Sequence, residues 1–264
     1  MNLQEKIDYS IKLIRKYEKI ALGYSPEGYH VAFSGGKDSQ AILELTKMAS
    51  VKYRAYFYKT SIDPPELTSF IRSDYPEVIW LKPRKTMFQM ILEKKGFPTM
   101  RARWCCAELK ERQGLNEVVI IGIRAAESTK RAKRKEFESE CKLGKDKVML
   151  SPIFEWQTND VYDFLKLREI KLCSVYQFQT RVGCLGCPLN RKAEKELERY
   201  PKVKKAYINT AQKVIDRNPD CNYAKLFKSG ADAYKWWLTK KSVKEYIAER
   251  DLQYKLDFTP ENML

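Results

Sequence analysis

The chain has 264 residues, of which 44% are hydrophobic and 12% aromatic, a composition typical of a globular protein with a sizeable core. Lys and Arg number 50 against 34 Asp and Glu, so the net charge of +16 favours an anionic partner. No apolar run approaches the roughly 20 residues that span a bilayer. The first 20 residues have the periodicity of an amphipathic helix and lack the apolar core of a signal peptide, so a cytoplasmic protein without a membrane segment is expected.

Hydrophobic periodicity predicts strands that alternate with helices along the first 190 residues. Strands are expected at 28–34, from Val51, from Val78, before Ile123 and over 148–156, and helices after the first glycine turn, at 67–73, at 87–93, from Ala107 and after a cap at Thr158 or Asn159. Alternation of this kind predicts an α/β fold with a doubly wound, mostly parallel sheet. The polar stretch 124–147 is expected to be a mobile loop or a lid facing the substrate.

After residue 190 the alternation of predicted strands and helices ends. From about Lys192 it is predicted to be helical and is rich in Lys, Tyr and Trp. We therefore expect a domain over 1–190 and a helical C-terminal extension over 191–264.

The segment Ser34–Ser39, SGGKDS, lies between the first predicted strand and its helix. Gly35 and Gly36 let the backbone approach an anion, and the start of the next helix presents N–H groups to the same point. Lys37 adds charge, and the Ser34 and Ser39 hydroxyls can donate to phosphate oxygens. The alternative is an ordinary turn between a strand and a helix. For Asp38 two roles are open, holding Mg²⁺ or fixing the loop.

Four of the seven cysteines form two close pairs, Cys105 with Cys106 and Cys184 with Cys187, and 78 positions separate Cys106 from Cys184. In a chain of this class they are expected to be reduced thiols or metal ligands. Four thiolates can hold either zinc or a [4Fe-4S] cluster, and chemistry alone does not choose between them. The alternative is that these cysteines are unrelated core residues.

The motif SGGKDS resembles the pyrophosphate loop (PP-loop) of the adenine nucleotide alpha-hydrolase fold. Members of that group generally cleave ATP between the α and β phosphates and activate a substrate by adenylylation. The motif differs from the GxxxxGK[ST] loop of phosphoryl-transfer enzymes. The resemblance implies AMP and pyrophosphate as products, with Lys37, Asp38 and Arg124 as the catalytic residues and Ser34–Ser39 together with Arg124 as the ATP site.

Further stretches make the resemblance more specific. FSGGKDS, PPEL, GFPTMRARWCCAELK, IIGIRAAESTKRA, SPIFEWQTNDVYDFL and RVGCLGCPLN follow one another in the order seen in the phosphoadenosine phosphosulfate reductase family, including its DNA phosphorothioation and phage-borne branches. The resemblance covers roughly Val31 to Asn190. In cluster-bearing relatives the two cysteine pairs bind a [4Fe-4S] cluster, which implies Cys105, Cys106, Cys184 and Cys187 as ligands here.

The chain departs from the reductases of activated sulfate in two features. Those enzymes generally lack an intact SGGKDS and carry a nucleophilic cysteine in a C-terminal Glu-Cys-Gly-Leu-His tail, whereas this chain ends DFTPENML. The first hypothesis is therefore ATP-dependent activation in sulfur transfer, as in nucleic-acid thiolation or DNA phosphorothioation. A sulfonucleotide reductase and a non-catalytic nucleotide-binding subunit are the alternatives.

Basic residues are concentrated around the predicted site. Between Lys82 and Lys147 there are 18 Lys and Arg against 9 Asp and Glu. Arg124, at the end of the fourth strand, is the expected second anion contact, and Glu127 is expected to orient it. Expected partners are ATP with Mg²⁺ and a nucleic acid, either DNA or tRNA. A sulfur-donor protein such as a cysteine desulfurase and a second copy of the chain are further candidate partners.

Overall fold

A computed structural model describes residues 1–111, 114–138 and 147–257 of the protein. Its contacts divide the chain into two compact units. The sheet unit comprises residues 1–83 and 108–183, and the helical unit comprises residues 84–107 and 184–264. The segments 84–107 and 184–190, which the expected domain over 1–190 included, thus group with the C-terminal helices.

Six strands form one sheet in the described part of the sheet unit. They are β1 (Tyr29–Phe33), β2 (Tyr53–Tyr58), β3 (Ile79–Leu81), β4 (Glu117–Ile120), β5 (Phe137–Glu138) and β6 (Lys147–Leu150). Their order across the sheet is β3-β2-β1-β4-β6-β5, and every neighbouring pair is parallel except β5 with β6. The predicted doubly wound, mostly parallel α/β fold is confirmed.

Helices occur in both units of the described chain. In chain order they are α1 (Leu3–Tyr24), α2 (Lys37–Ala49), α3 (Pro65–Asp74), α4 (Met87–Lys94), α5 (Trp104–Cys106), α6 (Thr129–Ala132), α7 (Thr158–Leu167), α8 (Ala193–Glu198), α9 (Pro201–Arg217), α10 (Asn222–Leu226), α11 (Gly230–Thr239) and α12 (Val243–Asp257). None of these helices is both long enough and apolar enough to cross a bilayer.

The core of the sheet unit forms where the central strands are covered by helices. In β1, Val31 and Phe33 are almost fully buried, as are Val118 and Ile120 in β4. Such continuous apolar strands are typical of a parallel sheet that is covered on both faces. Each buried side chain of this size contributes roughly 1.5–3 kcal/mol. The sheet is therefore a rigid base for the loops that follow β1 and β4.

Two expected helix starts were wrong. The helix expected from Ala107 begins at Trp104 and continues as a π-helical turn, Ala107–Glu111. The helix α7 begins after Gln157, whose N–H donates to Asp160 Oδ2 at 2.6 Å. The start of α7 depends on this contact between Gln157 and the first turn of the helix, which propensity at the first position does not show.

The stretch after β4 contains more structure than the expected loop or lid. A 3₁₀ turn over Ala125–Glu127 leads into α6, where the Ser128 hydroxyl accepts from Arg131 N at 3.2 Å. The strand β5 then pairs antiparallel with β6. Residues 139–146, which belong to the expected loop, lie outside the described residues.

The helical unit is built around α9. This helix packs against α4, α10 and α11. Its buried Tyr207 contacts the rings of Phe97 and Trp237, with ring centroids 6.0 and 4.9 Å away. Aromatic rings fill the centre of this unit, which explains the Tyr and Trp content of the predicted helical extension.

Candidate functional site

The first candidate site lies where two loops of the sheet unit follow neighbouring strands. Ser34–Ser39 joins β1 to α2, and Arg124 follows β4, which is the parallel neighbour of β1. The strand order reverses between these two strands, because β2 follows β1 on one side and β4 lies on the other. Ligands of doubly wound sheets bind in the crevice at such a switch point.

The conformation of the loop requires glycine at Gly35. Its φ is +70°, and a Cβ at this position would lie 2.5 Å from Leu67 Cδ1 and 3.0 Å from Ile71. Both contacts belong to buried side chains of α3, which cannot move aside without opening the core. Both the positive φ and the close packing therefore require glycine at position 35.

The two serines of the loop differ in their surroundings. Ser39 is 6% exposed, and its Oγ donates to Gly36 O at 2.8 Å while it accepts from Ser34 N at 3.1 Å. Ser34 is exposed, and its Oγ lies 3.1 Å from Ser39 Oγ. Ser39 thus stabilises the turn, and Ser34 is the more exposed of the two serines.

Asp38 links the two candidate cationic groups. Its Oδ2 lies 2.6 Å from Lys37 Nζ, and its Oδ1 lies 2.7 Å from Arg124 Nε. Both carboxylate oxygens are therefore engaged by cations. Of the two roles expected from the sequence, this geometry favours fixing the loop over direct ligation of Mg²⁺. The bridge brings Lys37 and Arg124 to opposite sides of one carboxylate.

Arg124 is held by the first residue of α7 and by the segment just before that helix. The side chain is 3% exposed, and Nη1 donates to Thr158 Oγ1 at 3.2 Å and to Trp156 O at 3.4 Å. The expected partner Glu127 accepts from the backbone N of Arg124 at 3.2 Å and pairs with the Arg131 side chain. Glu127 therefore orients the backbone of Arg124, not its guanidinium.

Several arginines gather near this bridge. Burial lowers the pKa of Arg131, and the charges of Arg181, Arg134 and Arg124 lower it further, while Asp38 raises it. Three of these four guanidinium groups also pair with a carboxylate: Arg124 with Asp38, Arg131 with Glu127 and Arg134 with Glu138. A concentration of positive charge in a partly buried site favours an anion with several charges.

Sequence reasoning missed three parts of this site. Arg181 stands out in the sequence only as the first residue of RVGC, yet its charge acts on Arg131. The Tyr176 hydroxyl accepts from Lys37 N at 2.8 Å, and burial raises the pKa of that tyrosine. A Cβ at Gly122 would lie 3.1 Å from the backbone of Asp38, so glycine lets β4 approach α2. No local pattern marks these contacts, because each joins segments distant in sequence.

The second candidate site, the cysteine cluster, comprises Cys105, Cys106, Cys184 and Cys187. All four lie in the helical unit, and none of the cysteines in the described ranges forms a disulfide. A hydrogen bond with Cys106 and burial raise the pKa of the Cys105 thiol, and the charges of Cys106, Cys184 and Cys187 raise it further. The pKa of Cys105 is therefore raised by charges from both cysteine pairs, which are far apart in the sequence.

Buried contacts shape the turn between Cys184 and Cys187. Gly186 has φ +70°, and a Cβ there would lie 2.9 Å from Trp237 Cη2 and 3.1 Å from Tyr207 Cε2. Its N–H donates to Glu196 Oε2 at 3.0 Å, and Cys187 N donates to Cys184 O at 3.2 Å. The turn is therefore fixed by packing as well as by hydrogen bonds.

The cysteine cluster does not form a site for a single metal ion in the described part of the chain. Across the described ranges, no three His, Cys, Asp or Glu side chains are placed to hold a single metal ion. A [4Fe-4S] cluster binds each of four thiolates to a different iron, so its ligands need not converge on one atom.

The aromatic residues near the end of the chain are mainly core residues. Tyr234 is 6% exposed and Trp237 is 4% exposed, so neither presents a face to a base. Trp236 is half-buried and donates to Lys241 O at 3.2 Å. Base stacking at this position therefore has no support among these side chains.

Sequence similarity to known proteins covers most of the chain. A model of the phosphoadenosine phosphosulfate reductase domain matches residues 28–190. An uncharacterized protein of Methanocaldococcus jannaschii is 25% identical over 244 residues, which cover 82% of this chain and 50% of that protein. A probable FAD synthase of Schizosaccharomyces pombe is 25% identical over 178 residues, covering 67% of this chain and 64% of the relative. The chain thus spans less than two thirds of either relative.

Among solved structures, FMN adenylyltransferase of Candida glabrata in complex with FAD and inorganic pyrophosphate has a TM-score of 0.50 at 17% identity, covering 74% of this chain and 71% of that one. This likeness shows a shared fold. The family model covers well over half of the chain and spans both the SGGKDS loop and the CxxC turn. The chain therefore belongs to the phosphoadenosine phosphosulfate reductase domain family.

Proposed function

We propose that the protein is an ATP pyrophosphatase of the PP-loop type that transfers AMP to an acceptor and takes part in sulfur transfer to a nucleic acid. The observation that carries this proposal is the bridge of Lys37, Asp38 and Arg124 at the switch point of the sheet. It holds two cations at the end of a glycine loop and at the start of a 13-residue helix, where a polyphosphate binds favourably.

The proposed first step is adenylyl transfer. An oxygen of the acceptor attacks the α-phosphorus of ATP, the bond from that phosphorus to the β-phosphate oxygen breaks, and pyrophosphate leaves with the electron pair. The proton of the acceptor goes to solvent. Hydrosulfide then attacks the activated atom, the bond from that atom to the oxygen breaks, and AMP leaves with the oxygen. Sulfur thus replaces oxygen on the acceptor, and the hydrosulfide proton takes the place of the proton lost in the first step. Neither step changes an oxidation state.

Each residue of the site has a role in adenylyl transfer that follows from its position. Lys37 and Arg124 bind phosphate oxygens, where their charge stabilises the negative charge that develops on pyrophosphate. Asp38 positions both cations, and Mg²⁺ enters with the nucleotide. The Ser34 hydroxyl donates to a phosphate, while Ser39 keeps the turn in place. Arg131 and Arg181 extend the positive surface and contact the acceptor.

The four cysteines are proposed to bind a [4Fe-4S] cluster, with zinc as the alternative metal. Bound by Cys105, Cys106, Cys184 and Cys187, such a cluster supplies one-electron chemistry. The support is the chemistry of the donor set and the electrostatic interaction among the thiols. A sulfur-donor protein such as a cysteine desulfurase and a second copy of this chain are the proposed protein partners.

The adenylylation proposal is tested by the products of ATP. Anaerobically prepared protein is incubated with ATP, Mg²⁺ and hydrosulfide, with unmodified tRNA or DNA in separate samples. We expect AMP and pyrophosphate in equal amounts, and no ADP. ADP with phosphate would contradict the proposal. Sulfite formed from phosphoadenosine phosphosulfate would establish the reductase alternative, and tight ATP binding without any product would indicate a non-catalytic subunit.

Charge supports a nucleic acid as the acceptor. Residues 84–107 and 184–264 contain 23 Lys and Arg against 12 Asp and Glu, so the helical unit carries +11 of the net +16. On α9 the exposed residues Lys202, Lys205 and Lys213 share one face, because their spacing follows the helical period. Such a face suits the regular phosphates of a polynucleotide.

We expect binding of short DNA and tRNA to weaken as salt rises, with a slope of about 0.7–0.9 in log affinity against log salt for each phosphate contact. Fluorescence anisotropy measures the slope. Changing Lys202, Lys205 and Lys213 to Glu is expected to flatten it. The matched control changes three exposed lysines of α1, Lys12, Lys16 and Lys19, and has the same net charge. Equal slopes of log affinity against log salt for the two variants would mean that the lysines of α9 do not bind the nucleic acid.

A further inference from the structure

A tyrosine hydroxyl lies at the N-terminus of α2, beside the SGGKDS loop. The Tyr176 Oη accepts a hydrogen bond from Lys37 N at 2.8 Å. Lys37 is the first residue of the helix, so its N–H is one of the donors that have no acceptor within the helix. These donors are the groups with which a helix N-terminus binds a phosphate. The hydroxyl therefore takes one donor that an anion at this helix end would otherwise use.

The position of Tyr176 is set by the core of the sheet unit. The residue lies in a 3₁₀ turn, Ser174–Gln177, where its N–H donates to Cys173 O at 3.0 Å. The preceding Val175 is fully buried, and the half-buried ring of Tyr176 packs against the hydrophobic core. The hydroxyl is thus held at the loop by the folded chain before any ligand binds.

The proton of this hydroxyl is available to a ligand. Because the Tyr176 oxygen accepts from Lys37 N, its own proton is directed to another atom. Burial raises the pKa of Tyr176, the hydrogen bond from Lys37 N lowers it, and the charge of Asp38 raises it, with a net increase. The phenol therefore stays protonated at neutral pH. A hydrogen bond accepted from a helix N-terminus also polarises the O–H group, which makes it a stronger donor.

Space for an acceptor lies beside Gly36. A Cβ at this position would lie 3.5 Å from Tyr176 Oη, 3.5 Å from Ser34 Oγ and 3.9 Å from Val182 Cβ, which are ordinary van der Waals distances. The backbone of Gly36 has φ −84° and ψ 158°, an extended conformation that any residue adopts. Unlike Gly35, Gly36 is thus required neither by its conformation nor by the packing of the protein. An oxygen in this space lies close to both hydroxyls.

We propose that Tyr176 is a phosphate-binding residue of the ATP site: its hydroxyl accepts from Lys37 N and donates to a phosphate oxygen of the nucleotide in the space beside Gly36. This inference rests on the proposed function, because it needs a nucleotide at the loop. The tyrosine extends the hydrogen bonding of the helix N-terminus to the phosphate without adding a charge. It acts together with the Lys37 and Arg124 side chains, which supply the positive charge.

The test compares variants of the full chain by calorimetric titration with ATP and Mg²⁺, after thermal melts have established that each is folded. Tyr176→Phe removes the hydroxyl and keeps the ring. We expect its ATP affinity to fall about 10-fold or more, because a hydrogen bond to a charged phosphate is lost. Tyr75→Phe is the matched control. The Tyr75 hydroxyl accepts from Gln40 Nε2 at 2.7 Å, so this change also removes a hydrogen bond to α2, and ATP affinity is expected to change little.

Gly36→Ala tests the space itself. The added methyl group contacts its neighbours at ordinary distances, so we expect a melting temperature close to that of the wild type. The same methyl group fills the place of the phosphate oxygen, so we expect a loss of ATP affinity at least as large as in Tyr176→Phe. A folded Gly36→Ala variant that binds ATP as tightly as the wild type would show that no phosphate oxygen occupies this space, which contradicts the proposal.

Two results for Tyr176→Phe would overturn the proposal. Unchanged ATP affinity would mean that the hydroxyl does not touch the phosphate. Tighter binding would mean that a phosphate takes the Lys37 N–H in place of the hydroxyl. In both cases ATP still binds, so the proposed function stands. A wild-type protein that binds no ATP would instead overturn the proposed function together with the role of Tyr176.

Discussion

Replacing Lys37 with alanine is expected to weaken ATP binding by roughly 10- to 150-fold while the protein stays folded. The change removes a cation at the first position of α2, where its Nζ lies 2.6 Å from Asp38 and 5.9 Å from the centroid of the Tyr162 ring. A hydrogen bond to a charged group contributes about 1.5–3 kcal/mol, which corresponds to this range of affinity. Calorimetric titration with ATP measures the loss.

The same helix provides the control for this prediction. Lys47 lies in the last turn of α2, is 39% exposed and pairs with Glu77 at 2.7 Å. Lys47→Ala therefore removes the same charge from the other end of the helix, and ATP affinity is expected to change little. Unchanged affinity in a folded Lys37→Ala variant would mean that the loop does not bind the phosphates of ATP. In that variant Asp38 still pairs with Arg124, so the loop keeps one of its two ionic contacts.

The fold could be predicted from the sequence where the pattern of apolar residues and glycines within one short segment determines the structure. The run Tyr29–Phe33 followed by two glycines and an amphipathic segment indicates a strand, a turn and a helix, and the structure has β1, the SGGKDS loop and α2 there. The division into units was less accessible, because it depends on contacts between distant segments. Phe97 packs on Trp237, so residues 84–107 belong with the C-terminal helices although they precede β4 in the chain.

The site at the SGGKDS loop and Arg124, like the fold, could be predicted from the sequence only in part. The loop residues are contiguous, and Arg124 follows a strand end, so position alone indicated that they come together. The roles of individual side chains depend on partners that sequence does not supply. Asp38 has one partner next to it in sequence and another 86 positions away, which is why its bridge could not be read from the motif. The hydroxyl of Tyr176 and the charge of Arg181 come from a third segment.

The spacing of cysteines in the sequence predicts some features of the cysteine cluster and not others. Two close pairs indicated one group of ligands, which stays a prediction; in the structure, charges from both pairs raise the pKa of Cys105. Spacing did not indicate what fixes the turn between Cys184 and Cys187. That depends on Trp237 and Tyr207, which leave no room for a side chain at Gly186. The rings lie on α11 and α9, and only the packing of those helices brings them to the turn.

Protein purified without air is expected to be brown and to contain about four irons per chain, because four cysteines complete a cubane cluster without a water ligand. Cys184→Ala is expected to lose this iron, since it removes one of the four thiolates and leaves an iron without a ligand. Cys221→Ala is the matched control. The Cys221 Sγ accepts from Ala224 N at 3.4 Å at the start of α10, a capping contact that involves no other cysteine.

Iron, zinc and sulfide analysis with an absorbance spectrum decides between the outcomes. Iron lost from Cys184→Ala and kept in Cys221→Ala assigns the cluster to the CxxC turn. Full iron in Cys184→Ala would mean that this cysteine is not a ligand. Stoichiometric zinc without iron in the anaerobic wild type would assign zinc to the four thiolates instead. The two metals leave different chemistry to the protein, because zinc has no redox activity and only the iron–sulfur cluster supplies electrons.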